Sequence, residues 1–478
     1  MTATDGPLYL NVADELAGLI AGGQLRPLER VPSVRVLARQ RRISMTTAVA
    51  SLRSLEARGL IEVRPQSGYY VAPRLVRLAE PQAARVSRAM RQVGAKATLT
   101  RLSEASQDPQ VARLGPAVAD GSLFPQRALQ RELARAVRRA PALLSAYELD
   151  VTGSRSLRHE VVRHYAHVGA GLQQEELLIT NGCTEALNLA LGAVAGAGDA
   201  IAVESPTYFG FLRILENRGI RVVEIPVEPG EGLSIDALAD LLGSRAGRAV
   251  KACLVIGNFS NPSGATMSDA RKRSLVRLCG DAGIALLEDD VYGDLQHGGP
   301  RPLPCKAFDR EGGVILCSSF SKSLAPGSRV GFIAGGRYRD AIKDAKYSAS
   351  LATAPLQQEM IAGYLRSGRY ERHLQRLRRA FASQLGQLAR LVEEHFPAGT
   401  RLSRPRGGCV LWVELPGEVD TTELYERARR AGVAFVPGAL FSASGRYGNC
   451  LRLNAGQLLT PQLQGAVARL GMLAKRRS

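Results

Sequence analysis

Five short runs of the chain combine residue types that can do chemistry together. They are Thr180-Asn-Gly-Cys-Thr184, Ser205-Pro-Thr-Tyr208, Asn258-Phe-Ser-Asn-Pro-Ser-Gly264, Asp289-Asp-Val-Tyr292 and Ser319-Phe-Ser-Lys322, and each follows a short apolar run. In the last, Lys322 stands beside two hydroxyls, Ser319 and Ser321, with Arg329 seven residues on. A lysine placed so, with its amine deprotonated, can form a Schiff base with an aldehyde. Lysine is scarce, only positions 96, 251, 272, 306, 322, 343, 346 and 475 among 63 basic residues, so a reactive amine has few places to reside. In the first run, Gly182 falls where a strand should turn into a helix. The N–H groups of Gly182, Cys183 and Thr184 are then free at a helix N-terminus, an anion cradle that suits a phosphate.

The elements that must position these groups follow from hydrophobic patterning. From about residue 116 to 478, helical stretches alternate with short apolar strands at Leu177–Thr180, Ala200–Glu204, Arg221–Ile225, Ala252–Ile256, Ile284–Glu288, Val314–Ser318 and Val330–Ala334. That alternation predicts an α/β fold around a large, mostly parallel sheet. Ligands of such sheets bind at the carboxyl ends of the strands, where the five runs would gather. The N-terminal part reads differently. Apolar spacing predicts a helix over Leu8–Gly22, a second over Val34–Arg41 capped by Ser33, and a third from Met45 to Arg58 capped by Ser44, burying Val49, Leu52 and Leu55 and stopping at Gly59. A two-stranded ribbon, Leu60–Arg64 and Tyr69–Val71 around a Pro-Gln-Ser-Gly turn, completes a winged helix-turn-helix over 1–72. Residues 73–115, rich in Pro and basic side chains, read as a linker with one helix near 82–93.

The order N-G-C-T-E-A, S-P-T-Y, N-P-S-G, D-D-V-Y and S-F-S-K with Arg329 resembles the fold-type I aminotransferases, which bind pyridoxal 5′-phosphate (PLP). The resemblance implies that Lys322 bonds the cofactor and that Asp289 faces the pyridine nitrogen, keeping the ring an electron sink. It implies that Asn261 and Tyr292 hold the phenolic oxygen and that Tyr208 stacks on the ring. Thr184, Ser319, Ser321 and Arg329 would join the N–H groups of Gly182 and Cys183 on the phosphate. Tyr147 would reach the phosphate of a neighbouring subunit, which requires a homodimer. Arg452, in Cys450-Leu-Arg-Leu-Asn454, resembles the arginine that grips a substrate α-carboxylate; an arginine on a sheet edge is the plainer alternative.

The first 72 residues also resemble a family. Pro7-Leu-Tyr9, Arg30-Val-Pro-Ser-Val-Arg35, Thr46-Thr47, Leu55-Glu-Ala-Arg-Gly-Leu-Ile61 and Arg64-Pro-Gln-Ser-Gly68 are similar to the DNA-binding domain of the GntR regulators. Such a domain (1–72), joined through a linker (73–115) to an aminotransferase-like domain (116–478), is the layout of the MocR subfamily. The resemblance implies DNA contacts from Arg30, Ser33, Arg35, Thr46, Thr47, Arg53 and the wing tip Gln66, Ser67 and Gly68. Met45 and Val49 stand where many GntR domains carry arginine, so the operator sequence does not carry over; Arg41, Arg42 and Arg53 are the basic residues left nearby. A formal charge of +19 fits a polyanionic partner.

Other features bound the reading. Seven scattered cysteines without a C-x-x-C pair argue for reduced thiols in a cytoplasm, and the chain shows neither a signal-peptide layout nor an apolar run of membrane-spanning length. His159, Glu160, His164 and His167 lack the spacing of a metal site and read as the solvated face of a helix over Leu157–Tyr165; no metal is expected. The aminotransferase resemblance also implies a smaller α+β subdomain after the large sheet, and Trp412 reads as part of its core. Two functions emerge: a PLP-dependent transcription regulator that senses PLP or an amino-acid effector, or a working aminotransferase with an N-terminal appendage. The winged helix, the basic linker and the net charge favour the regulator, with residual transamination compatible with it.

Overall fold

Ser33 and Ser44 each start a helix by offering a side-chain oxygen to a free backbone N–H, Ser33 to Val36 and Ser44 to Thr47. A computed structural model describes residues 7–22, 24–25, 29–57, 60–64, 67–71, 78–84, 86–87, 89–92 and 111–475. It contains two compact units, one reaching Arg77 and the other taking Leu78–His297 and Arg301–Ser478. The first holds α1 (Leu8–Ala21), α2 (Val34–Arg41), α3 (Met45–Ala57) and the antiparallel ribbon β1 (Ile61–Arg64) and β2 (Gly68–Val71). Its core joins Val12 and Leu16 of α1, Leu37 of α2, Leu52 and Leu55 of α3, and Ile61 and Val71 of the ribbon. One expectation is corrected: Ala48 is the buried residue on the first turn of α3, in register with Leu52 and Leu55, and Val49 is only half-buried. Residues 48, 52 and 55 share one helical face, which turns position 49 partly away from it. Gly59, Pro65 and Gln66 lie outside the described residues.

The second unit is built on an eight-stranded sheet. A short strand β3 (Ala112–Arg113) precedes it; the sheet's own strands are β4 (Leu177–Thr180), β5 (Ala200–Ser205), β6 (Arg221–Glu228), β7 (Gly232–Leu233), β8 (Val250–Val255), β9 (Ala285–Asp289), β10 (Val314–Ser319) and β11 (Gly331–Ala334). Their order is β4-β11-β10-β9-β8-β5-β6-β7. The pairs from β10 to β6 are parallel, whereas β11 runs antiparallel to both β10 and β4. Two reversals restore the direction, so β4, β10, β9, β8 and β5 all point one way and their carboxyl ends share an edge. Helices cover both faces, which is why the strands read as unbroken apolar runs. Ala200 and Ala202 enter one core while Ile201 and Val203 enter the other, the alternation a pleated strand imposes. A four-stranded sheet, β12 (Arg401–Leu402), β13 (Val410–Glu414), β16 (Cys450–Asn454) and β15 (Val436–Pro437), forms the smaller subdomain, with Trp412 in its core as expected. Among the described residues no helix is long and apolar enough to cross a membrane.

The stretch expected as a free linker is corrected in part. Its described residues contain no helix near 82–93 and are strapped to the second unit. Ala79 accepts a backbone hydrogen bond from Leu402, Gln82 N–H donates to Glu414, and Arg91 pairs with Val222 through both backbone groups. Met90 packs on the sheet's core, and β3 pairs with β14 (Val433–Ala434). The backbone groups of Ala79, Gln82 and Arg91 thus bond to the second unit and not to one another along a helix. Leu114 is fully buried, so the body of this unit begins before residue 116.

Candidate cofactor and carboxylate site

All five polar runs meet at the shared carboxyl edge. They line one cavity of about 400 Å³, to which Pro116, Ala117, Phe435 and Arg452 also contribute. Cys183 and Thr184 come from the end of β4, Tyr208 from β5, Asn261 from β8, Asp289 and Tyr292 from β9, and Ser319, Ser321, Lys322 and Arg329 from the turn after β10. The cavity thus brings together the residues that the PLP resemblance assigned within one subunit, apart from Gly182, which precedes the lining residue Cys183 at the same turn. Tyr147 is the other exception: it is 78% exposed and does not line the cavity of its own chain.

Lys322 Nζ donates to the carbonyl of Ala117 at 2.7 Å and faces no carboxylate at ion-pair distance among the described residues. Burial pushes its pKa down; Cys409 and Asp289 pull the other way, and Arg452 and Arg329 reinforce the lowering. The result is an amine closer to its nucleophilic, neutral form. Asp289 lies buried at the cavity floor. Burial pushes its carboxyl up to about 7, opposed by the Val291 N–H donated to it and reinforced by neighbouring Asp290. A carboxyl so poised gains most from a cationic partner.

Gly182 shows why glycine occupies the first turn. Its backbone sits at φ 81°, ψ 175°, a region essentially reserved for glycine, and a Cβ there would lie 2.5 Å from Arg329 Nη2. Arg329 Nη1 donates to Ser321 Oγ at 3.0 Å. Helix N-terminus, hydroxyls and guanidinium therefore converge on one anion-sized corner.

Arg452 lies in β16, between β13 and β15, so the sheet-edge alternative is excluded. It is 1% exposed, lowered in pKa by burial, and has no carboxylate partner among the described residues. One arm donates to Asn261 Oδ1 at 2.9 Å and another to the Gly115 carbonyl, its Nε has no partner, and Phe441 and Phe209 flank it. An unpaired buried guanidinium is costly unless an anion completes it.

Sequence reading missed several supports. The carbonyls of Gly115 and Ala117 carry no side-chain signal and sit more than 200 residues from their partners. Asp290, visible as the second D of D-D-V-Y, is gripped by Arg301, the Tyr165 hydroxyl and Asn258 Nδ2. The helix face of His159, Glu160, His164 and His167 is corrected: Glu160 is buried and paired with Arg163 and Arg366, and His164 pairs with Asp294 at 2.9 Å. Those two residues point at a packed neighbour, not at water.

In the first unit, Arg30, Ser33, Arg35, Thr46 and Arg53 are exposed. Thr47 and Ser44 share a hydrogen bond of 2.8 Å at the start of α3, and Ser67 Oγ meets Tyr70 Oη at 2.6 Å beneath the wing. Gly68, at φ 109°, passes close to the Arg30 side chain. Met45 is 47% exposed on the first turn of α3. Arg41 is committed to an ion pair with Glu15, which leaves Arg42 and Arg53 as the exposed basic residues near α3.

Residues 8–71 match the family of bacterial regulatory proteins of the gntR type, and residues 130–470 match aminotransferase class I and II. The chain is 36% identical to the HTH-type transcriptional regulator YjiR of Escherichia coli K12, over 97% of this chain and 98% of YjiR. It is 35% identical to YdcR of the same organism, over 98% and 99%. The chain belongs to the MocR subfamily of GntR regulators. The solved structures most informative about this MocR chain cover its second unit. Kynurenine aminotransferase of Pyrococcus horikoshii, solved with PMP, superposes with a TM-score of 0.75 at 28% identity, over 80% of this chain and 95% of its own. LysN, an α-aminoadipate aminotransferase of Thermus thermophilus complexed with N-(5′-phosphopyridoxyl)-L-leucine, gives 0.72 at 29%, over 80% and 95%. This MocR chain therefore carries a fold-type I aminotransferase domain behind a GntR winged helix.

Proposed function

We propose that this chain is a DNA-binding transcription regulator of the cytoplasm whose aminotransferase-type unit binds PLP and senses PLP, an amino acid, or both. The observation that carries the reading is the pairing, in one chain, of a winged helix with an intact cofactor-type cavity. Bound PLP would supply an aldehyde carbon for a lysine and a ring that draws electrons. Lys322 offers a desolvated amine at the cavity wall. Asp289 holds a positive ring nitrogen, Tyr208 stacks on the ring, and Asn261 and Tyr292 hold its phenolic oxygen. Gly182, Cys183, Thr184, Ser319, Ser321 and Arg329 hold the phosphate, and Arg452 receives an effector carboxylate. The exposed Tyr147 serves the neighbouring subunit of a homodimer. On the DNA side, Arg30, Ser33, Arg35, Thr46, Thr47, Arg53, Gln66, Ser67 and Gly68 form the contact set, with 1–72 the DNA-binding domain, 73–115 the connecting segment, whose described residues from 78 on pack with the second unit, and 116–478 the sensing domain.

The test captures operator fragments from genomic DNA of the source organism with the full chain, with and without PLP. Specific fragments enriched by the wild type and lost with Arg35→Ala support the reading. The absence of specific fragments, together with sustained keto-acid formation at ~1 s⁻¹ or faster, would instead establish a working aminotransferase.

A further inference from the structure

A second cavity, of about 380 Å³, lies in the same unit where the segment around Glu80–Ala84 crosses between the two subdomains. It is distinct from the Lys322 cavity and shares no lining residue with it. We propose that it is a second ligand site, for a small monocarboxylate with an apolar body. The cavity falls within the ordinary range of small-molecule sites, ~300–1,000 Å³.

Charge selects the ligand class. Two of the four charged lining residues pair with each other, Arg404 with Glu80 at 3.6 Å, and the third, Glu414, accepts the Gln82 N–H at 3.1 Å while keeping its charge. Arg446 is the fourth, with no carboxylate partner among the described residues and a buried Nε that has no hydrogen-bond acceptor. A lone guanidinium in such a place calls for one negative charge. The remaining wall is aromatic and aliphatic. Trp412 and Tyr447 meet edge-to-face at 5.9 Å, and Tyr447 is fixed by a 3.1 Å hydrogen bond between its hydroxyl and Ser205 Oγ. Pro81 and Ala84 supply apolar surface from the crossing segment itself. A ligand here touches the first site through two contacts. Trp412 packs on Phe441 at 5.3 Å, and the Arg452 guanidinium lies over that same Phe441 ring at 5.3 Å.

Trp412 is the chain's single tryptophan, so its emission reports this cavity. The experiment treats full-length protein with PLP and borohydride to block Lys322. It then titrates L-leucine, 4-methyl-2-oxopentanoate, L-phenylalanine and phenylacetate while Trp412 emission is followed. At least one of the four should give a saturable change with half-saturation below about 1 mM, and Arg446→Gln should raise that value at least ~10-fold. The amino acids and the acids without an amino group distinguish recognition of the amine from recognition of the carboxylate alone. Ala84→Leu, which fills the cavity from the crossing segment, should abolish the change in protein of normal thermal stability, and it serves alone if Arg446→Gln does not fold. No saturable change up to about 10 mM, or an unaltered titration in the folded variants, would overturn the proposal. Failure to form a PLP adduct would count against the proposed function alone, because the Arg446→Gln and Ala84→Leu comparisons assign the Trp412 change to the second cavity in untreated protein.

Discussion

Lys322 and Asp289 face a cavity that suits neither in its charged form, and that mismatch can be measured. Burial lowers the pKa of Lys322, so covalent uptake of PLP should rise with pH through a midpoint below the ordinary ~10.4 of a lysine, followed by visible absorbance. Lys322→Ala should retain no borohydride-fixed adduct. For Asp289 the sign runs the other way. Its folded value of about 7 exceeds the ~3.9 of an unfolded chain, so its contribution to stability is present below about pH 4 and is lost as pH rises to about 7. Asp289→Asn should therefore raise the melting temperature of cofactor-free protein at pH 8 by a few degrees while weakening PLP binding at least ~10-fold. Gly182→Ala should cost at least ~1 kcal/mol in backbone strain and displace Arg329, reducing PLP affinity more than stability in paired titration and melting measurements. These residues were legible in sequence because each follows directly on a strand. The carbonyl of Ala117 was not, since a backbone acceptor leaves no mark on residue type.

At the scale of elements, Asp294 ties three segments that support the site. It pairs with His164 on the helix Arg155–His167, with Arg301 of its own loop, and with the hydroxyl of Tyr370 on the helix Tyr370–His395, which also bonds Ser323 beside Lys322. Burial alone would push the Asp294 carboxyl up, but His164 and Arg301 hold it well below the usual carboxylate range. Its stabilisation is present above about pH 4 and declines as pH falls below that. Asp294→Ala should destabilise the protein by about 3–5 kcal/mol at pH 7, with a smaller difference at pH 3, as chemical denaturation will show. No local pattern reveals the partner of His164 or the second partner of Glu160, because Asp294 is 130 residues from the one and Arg366 over 200 from the other. The same distance in sequence hid the straps on residues 78–92: Pro and basic side chains suggested a solvated linker, whereas the backbone is paired with strands near Val222 and Leu402. Short-range signals such as the Ser33 and Ser44 caps survived intact.

At the scale of the molecule, a chain of net charge +19 carries exposed arginines on a winged helix and an anion-seeking cavity in a separate unit. If about six phosphates are neutralised, operator affinity should fall by about five log units per log unit of salt. Removing residues 1–72 should abolish operator binding and leave PLP uptake unchanged, since the second unit has its own cores. Sensing demands more than two working sites: a ligand bound equally well in both arrangements of a protein shifts neither. The straps at Ala79, Gln82 and Arg91 give the aminotransferase-type unit a hold on the segment that follows the winged helix in sequence, and Lys322 and Arg452 are the groups that a ligand would change. The most direct test titrates operator DNA against wild type, Lys322→Ala and Arg452→Ala, each with and without PLP and with the twenty protein amino acids in turn. The account predicts that PLP, an amino acid or both change wild-type affinity by ~5–150-fold, and that both variants lose part of that response while binding DNA normally without ligand. Superimposable isotherms for the wild type under every ligand condition would contradict it.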